Sequence, residues 1–460
     1  MKKKYVRWTL WTIASPFILF IILCILIYLP PIQNFLVDKA AVYASEATGM
    51  NISVGRISLS FPLNLVVTNV DAASPHNDTL LSVRRLQVNV QLLPLLKKQV
   101  EVDGISLQGA TVNSNDLIHG MKLNGTLGEL FISSHGVALD PETAIVNKVL
   151  LKDTDLSLCL NDTAAADTAA SDTTYWKIIL QDIDLQNVSF ALDMPLDSLS
   201  LAASLDNAIL RDGLIDLHKS AYSLQTFRIK NGRVRYDSGK PLAADSLPSG
   251  LDPSHIALTD IGVKLDSLYY GGRNMKAIIS QFVLKERSGV EIVSATGRMV
   301  SNDKVLRVPS LKLETRDSYL ELNAAMDWNA LDFKDEGLVS ARLMADIGKP
   351  DVVRFMGSMD EKFIRQYPSE PLRIRTGIDG DLNKLKLTTL TAELPGALGL
   401  FARGELTHLT DSLLRGGDIT LEAETKDLKF VSTLAEGIEI PYGTRLEGKF
   451  TMAGTKMGTD

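Results

Sequence analysis

The stretch Ile183-Asp184-Leu185-Gln186-Asn187-Val188-Ser189-Phe190-Ala191-Leu192-Asp193-Met194 decides how this chain folds. Ile183 and Leu185 alternate with polar neighbours, and Val188, Phe190, Leu192 and Met194 alternate again. A period of two is the mark of a half-buried strand, apolar on one face and wet on the other. Phe190 follows Leu185 at an odd spacing, which would send the second apolar set to the wrong face. A β-bulge or tight bend at Asn187 is expected to restore the parity, and Asn is among the few residues that tolerate left-handed backbone.

The same pattern recurs along the chain. Ile105-Ser106-Leu107-Gln108-Gly109-Ala110-Thr111-Val112, Val149-Leu150-Leu151-Lys152-Asp153-Thr154-Asp155-Leu156 and Phe227-Arg228-Ile229-Lys230-Asn231-Gly232-Arg233-Val234 each repeat it, with bends expected at Gly109, Asp153 and Asn231. Looser copies lie around Phe282-Val283-Leu284 and Leu311-Lys312-Leu313, and plain alternation runs through Leu63, Leu65 and Val67 and through Leu86, Val88, Val90 and Leu92. A repeat of roughly 40 residues in a β context allows a propeller or a stacked, solenoid-like sheet. Aromatic residues are only 6% and the copies are unevenly spaced, which favours the sheet. The expected fold class is mainly β: an N-terminal transmembrane helix, then an elongated, twisted antiparallel β-sheet groove with one or two short helices. About 20 strands at roughly 4.8 Å spacing would extend on the order of 100 Å. Residues 161–174 are low-complexity and read as a disordered loop between strands. Residues 351–366 read as a second short helix that serves as a packed plug or crossover and ends before Pro368 and Pro371.

Ahead of the β array, Trp8–Leu29 carries no charge and follows Lys2, Lys3, Lys4 and Arg7. As a helix it reaches roughly 33 Å at ~1.5 Å per residue, enough for a hydrocarbon core of about 30 Å. The basic residues place 1–7 in the cytoplasm and export everything after the span. A cleaved signal peptide would have a shorter apolar core and a nearby small-residue site, whereas here Pro30-Pro31 closes the run. Residues 30–50 read as an amphipathic capping helix, with Ile32, Phe35, Leu36, Lys39, Tyr43 and Ala47 near one face and Gly49 as its stop. The β region then occupies 51–460.

Composition narrows the function. The chain holds 48 Lys+Arg against 55 Asp+Glu, and four of the basic residues precede the apolar run, so the exported part is acidic and ill-suited to nucleic acid or an anionic surface. Its two cysteines, Cys24 and Cys159, make no disulfide framework. The six histidines lie far apart, and Asp379, Asp381 and Asn383 imitate an EF-hand opening that Lys384 and Leu390 break. No phosphate-binding or nucleophile-elbow motif occurs. The expectation is no enzyme, no catalytic or metal residues and no cofactor.

The order of the opening elements carries a resemblance. Thr48-Gly49 is followed by Val54-Gly55-Arg56-Ile57, Leu63-Asn64-Leu65-Val66-Val67-Thr68-Asn69-Val70, Val83-Arg84-Arg85-Leu86-Gln87-Val88, Leu92-Leu93-Pro94-Leu95-Leu96-Lys97-Lys98 and Ile105-Ser106-Leu107-Gln108-Gly109. This order resembles the N-terminal region of the TamB and AsmA-like family, and Tyr367-Pro368, Gly377-Ile378-Asp379-Gly380, Leu385-Lys386-Leu387 and Arg403-Gly404-Glu405-Leu406 resemble its Gly-punctuated strands. The resemblance implies a β-groove anchored in the inner membrane and projecting into the periplasm. It also implies either bridge-like phospholipid transport toward the outer membrane or, with an outer-membrane barrel or other envelope partner, a part in protein assembly. After the strand pattern of Arg445–Met452 the chain stops at Gly458-Thr459-Asp460 with no counterpart of the family's C-terminal domain, leaving a fragment and a short member both open. Alternation nominates Leu86, Val88, Val90, Ile105, Leu107, Ile183, Leu185, Phe227 and Ile229 as groove-lining residues that would contact lipid.

Overall fold

Strands make up most of what the computed structural model describes, namely residues 39, 41–43, 45–46, 48–60, 64–74, 78–91, 102–114, 120–138, 142–161, 175–239, 250–334, 337–356, 360–433, 441–454 and 456–459. The chain is mainly β. The expected span Trp8–Leu29, and all of segment 161–174 after its first residue, lie outside the described residues. Among the described residues no helix is long and apolar enough to cross a membrane. The chain divides into two units, Met1–Leu196 and Asp197–Asp460.

In the first unit, helical backbone within residues 39–48 stops at Gly49, which has φ +69° and donates its N–H to the Ser45 carbonyl at 2.9 Å. This is the expected left-handed stop. Of the expected packing face, Ile32, Phe35, Leu36 and Ala47 lie outside the described residues, and the described contact to the sheet is polar. The Ser45 hydroxyl accepts from the Ile52 N–H at 3.0 Å, whereas Tyr43, expected on the packing face, is 75% exposed.

The strands that follow are β1 (Asn51–Ser60), β2 (Asn64–Ala73), β3 (Thr79–Val90), β4 (Val102–Asn113), β5 (Met121–Ala138), β6 (Thr143–Leu160) and β7 (Lys177–Met194). Each pair from β1 to β6 is antiparallel. β6 and β7 are parallel, with Val149 beside Ile183 and Leu151 beside Leu185, which corrects the all-antiparallel expectation. Parallel neighbours need a crossover of a dozen residues or more, and residues 161–176 supply that length.

One residue per strand forms a continuous row across this sheet: Gly55, Asn69, Arg84, Gly109, Gly128, Asp153 and Asn187. Asn69, Gly109, Asp153 and Asn187 have φ of 54°, 60°, 48° and 51°. Pairing keeps the same register on both sides of the row, so no residue is inserted and the expected parity change is made by tight bends, not bulges. The glycines permit close approach: a Cβ at Gly128 would lie 2.8 Å from that of Asp153. Asn187 Nδ2 donates to Asp153 Oδ1 at 3.0 Å and joins the last two members of the row.

The second unit holds β8 (Leu199–Asp216), β9 (Ala221–Leu224), β10 (Thr226–Ser238), β11 (His255–Gly271), β12 (Asn274–Glu286), β13 (Glu291–Ser301), β14 (Val305–Thr315) and β15 (Tyr319–Asp327). After them come β16 (Leu338–Ile347), β17 (Leu372–Asp381), β18 (Lys384–Leu394), β19 (Leu398–Thr407), β20 (Gly416–Thr425), β21 (Arg445–Ala453) and β22 (Lys456–Thr459). β9 and β10 lie in one register between β8 and β11, a single strand broken at Gln225. From β10 to β22 every strand pairs antiparallel with the next. Asn231 again has positive φ, 52°, but here the register shifts beside it, between Ile229 and Gly232 on the β11 side. Further shifts at Ile279/Phe282, Val308/Leu311 and Leu387/Leu390 make bulges the device of this unit.

Among its described residues the second unit has three short α-helices: α1 (Trp328–Leu331) after β15, and α2 (Lys349–Phe355) and α3 (Glu361–Gln366) between β16 and β17. The single helix expected at 351–366 is therefore two. Asp360 divides them, capping α3 by accepting from the Lys362 N–H at 2.9 Å. Phe363, Tyr367, Leu394, Ala397, Leu428 and Phe430 form one core cluster, and Ala330, Val339 and Leu382 form another.

Candidate functional site

The nominated residues fall into cross-strand rows. In the first unit Leu86, Leu107 and Leu185 share a row with Ile57, Val67, Leu130 and Leu151, each directly paired with the next. Two positions away on every strand, Val88, Ile105 and Ile183 share a row with Leu59, Leu65, Ile132 and Val149. Residues two apart on a strand point to the same face, so both rows lie on one face across all seven strands. Val90 pairs with Val102 past a register shift and stands outside these rows. The intervening row, Ser58, Val66, Gln87, Ser106, Phe131, Leu150 and Asp184, faces the other way and is mixed, with Val66, Phe131 and Leu150 apolar; the next row on that opposite face, Arg56, Thr68, Arg85, Gln108, Glu129, Lys152 and Gln186, is polar throughout.

Every side chain in the two apolar rows is only half-buried. Among the described residues of the first unit, Ala72, Leu80 and Val83 are the only buried hydrophobics. Among the described residues the sheet is thus a single layer here, with no second layer over its apolar face. Burying an aliphatic side chain fully is worth roughly 1.5–3 kcal/mol, so a contiguous half-exposed face of this kind calls for a ligand or partner.

Phe227 and Ile229 lie in the second unit. Ile229 starts a row that passes through Val263, Phe282, Ala295, Leu313, Leu320, Ala345, Ile374, Ala392, Leu400 and Ala423. Phe227 starts the adjacent row, through Leu265, Ile279, Gly297, Leu311, Leu322, Leu343, Thr376, Leu390, Ala402 and Leu421. These rows contain more Ala and Gly than those of the first unit, so the face is flatter. Its opposite side carries cross-strand ion pairs, among them Arg375–Asp346 at 2.8 Å, Lys384–Glu405 at 3.0 Å and Lys449–Asp418 at 3.1 Å. Exposed pairs like these contribute at most about 1 kcal/mol each. They keep that side wet.

Cover appears on the apolar face of the second unit alone among the described residues. Leu372, Leu394 and Leu398 sit two positions beyond Ile374, Ala392 and Leu400, on the same face. Phe363 and Tyr367, from α3 and its end, and Phe430 pack on them, with ring centroids 5.1–5.8 Å apart. At the other ends of the strands Ala330 of α1, with Leu382 and Leu409, packs against Met326, Val339, Ile378 and Leu385. The two rows stay half-exposed, apart from buried Ala295, Ala345 and Ala402.

A buried polar cluster holds α2. Asp351 is 1% exposed and accepts hydrogen bonds from the hydroxyls of Thr315 and Ser318, the latter at 2.6 Å, both in the β14–β15 turn. Arg354 donates to Asp351 at 3.1 Å and to Asp317 at 2.8 Å. Burial works against the Arg354 charge, but these two carboxylates outweigh it and hold its proton more tightly than usual.

Asp381, part of the imitation EF-hand, accepts from the backbone N–H groups of Asn383 and Lys384 at 2.9 and 2.8 Å and so closes the β17–β18 turn. Among the described residues no cluster of three or more His, Cys, Asp or Glu is placed to hold a metal. The members of the face not nominated from sequence are chiefly Leu130 and Ile132 of β5, where Leu130-Phe131-Ile132 is apolar at every position and hides the alternation. Val149 and Leu151 were visible as copies of the repeat. No family model matches this chain, and no curated protein matches it.

Proposed function

We propose that this chain is a membrane-anchored lipid carrier whose single-layer sheet forms an elongated apolar groove for the acyl chains of phospholipids, passing them along the strand rows. The observation that carries the reading is the pair of half-exposed apolar rows crossing all seven strands of the first unit, while the opposite face carries the polar row that runs from Arg56 to Gln186. Acyl chains satisfy such a face because they need contact and dehydration but no fixed hydrogen bonds. The uncharged Trp8–Leu29 run behind four basic residues supports a single inner-membrane anchor with the bulk of the chain in the periplasm. The resemblance to the TamB and AsmA-like family points the same way and extends the proposal to transport between inner and outer membranes.

The full chain, extracted and purified with its anchor, is analysed by mass spectrometry for co-purifying phospholipid, with photo-crosslinking residues placed in turn at Leu107 and Leu185. The expected result is lipid adducts at both positions and none at Gln108 on the polar face. Adducts to proteins alone would instead assign the face to an envelope-assembly role, with apolar segments of unfolded clients as its ligand. Equal adducts on both faces would remove the carrier reading.

A further inference from the structure

The cover over β16–β19 has two separable attachments, and their chemistry differs. α3 and Phe430 lie on the apolar face chiefly by aromatic and aliphatic contact: Phe363 is 1% exposed and clusters with Leu394 and Ala397, while Lys349 Nζ of α2 donates to the Tyr367 carbonyl at the end of α3 at 2.7 Å and the Lys426 N–H donates to the Ala397 carbonyl at 2.7 Å. α2 is held by the Asp351 carboxylate, which reaches across to Thr315 and Ser318 in the β14–β15 turn. The Ser318 hydroxyl in turn accepts from the Gly348 N–H at 3.0 Å, and the Arg354 carbonyl accepts from the Leu251 N–H at 2.7 Å. The row beneath α3, Leu372, Leu394 and Leu398, continues the same face as the open rows beside it. An acyl chain and the aromatic ring cluster are therefore competitors for one apolar surface.

We propose that α2 and α3 form a strap that occupies the outermost row of the groove when it is empty, and that the Asp351 network is the latch that keeps the strap down. Ligand on the open rows Ile374–Ala392–Leu400 stops at the strap. Releasing the latch adds the row Leu372–Leu394–Leu398 to the binding face and widens the groove at β16–β19. A ligand shifts the strap only in so far as it binds the widened form more tightly than the closed one. This inference rests on the lipid-carrier reading for the identity of the ligand, but the strap itself is tested without lipid.

The full chain carries Cys24→Ser and Cys159→Ser together with either Leu372→Cys, beneath the strap, or Leu390→Cys, on the open row. Alkylation by an uncharged alkyl maleimide is timed in detergent. The expected result is slow reaction at position 372 and fast reaction at 390. Asp351→Ala should bring position 372 up to the rate of 390 while leaving 390 unchanged, and Ser318→Ala should raise 372 by a smaller factor. Equal rates in the parent chain, or continued protection at 372 after Asp351→Ala, would overturn the proposal. Acceleration at both positions together would also overturn it, since the network would then hold the whole unit. A second readout adds phosphatidylcholine and photo-crosslinks at Leu398 and at Leu107. Lipid adducts at Leu398 are expected only with Asp351→Ala, whereas absence of adducts at Leu107 as well would defeat the lipid reading and leave the strap judged by alkylation.

Discussion

β1–β7 and several strands of β8–β22 face the same steric difficulty, an apolar alternation that breaks phase partway along the strand, and the two units resolve it in different ways. In β1–β7 the break is a row of in-register residues, one on each strand, with Asn69, Gly109, Asp153 and Asn187 at left-handed φ and no change of register. In β8–β22 most of the breaks are register shifts. An in-register row keeps the cross-strand pairs on either side of it aligned, so the two apolar rows run unbroken from β1 to β7. Bulges leave unpaired residues and stronger local twist, and it is in the unit that uses them that helices and loops fold over the apolar face. Among the described residues the first unit is nearly bare of buried core, while the second is clamped by the clusters around Phe363 and Ala330. A face without cover suits ligand binding along its whole length; a face with caps suits control of what binds.

This contrast can be broken at several points. The largest effect is expected from Leu185→Glu in the bare unit: lipid adducts at Leu107 should disappear while the fold persists, because the side chain is half-exposed and a surface-like change costs only about 0.5 kcal/mol. Retention of adducts would show that the row is not one continuous surface. Next, Phe363→Ala should cost the capped unit about 3–5 kcal/mol through the cavity it opens. Hydrogen exchange should quicken in β17–β19 and stay unchanged in β3–β6; quickening in both would mean that the two units share one stability.

A smaller effect tests the row of bends. Asn187→Val puts a β-branched residue at φ 51° and removes the hydrogen bond to Asp153. The expected cost is about 1–2 kcal/mol, with faster exchange in both β6 and β7, whereas Asn187→Gly should be much milder. If exchange rises in β7 alone, the bends act strand by strand and not as a row.

The smallest effect is a pH dependence in the capped unit. Burial pushes the Glu286 carboxyl up, but hydrogen bonds to it from Ser288 and from the backbone N–H groups of Ala257 and Arg287 outweigh it, so its pKa lies below the ordinary 4.5. A depressed carboxylate stabilises the fold above its unfolded pKa and loses that contribution as the pH falls through the folded value. The difference in urea midpoint between the parent chain and Glu286→Gln should therefore shrink as the pH drops below 4.5. A constant difference would show that the turn is held by something other than this charge.

Much of this was legible locally. Alternation at Ile183, Leu185, Val188 and Phe190 specifies a strand and its two faces, since a period of two is a property of the backbone itself. The need for a bend at Gly109, Asp153, Asn187 and Asn231 follows from the odd spacing together with residue types that accept positive φ, and all four adopt it. What stayed hidden depends on partners distant in sequence. The parallel pairing of β6 with β7 is a choice of direction, and strand composition says nothing of direction. Phe430 and Leu428 enter a core with α3 from a segment with no periodicity of its own. The sequence by itself thus determined which residues are apolar strand positions and where each strand must bend, because those are constraints on single residues and their nearest neighbours. Only the tertiary structure decided which strands lie side by side, that the bends fall in register, and which stretch of the apolar face is covered, because each of these is a choice among distant pairings that the alternation satisfies equally well.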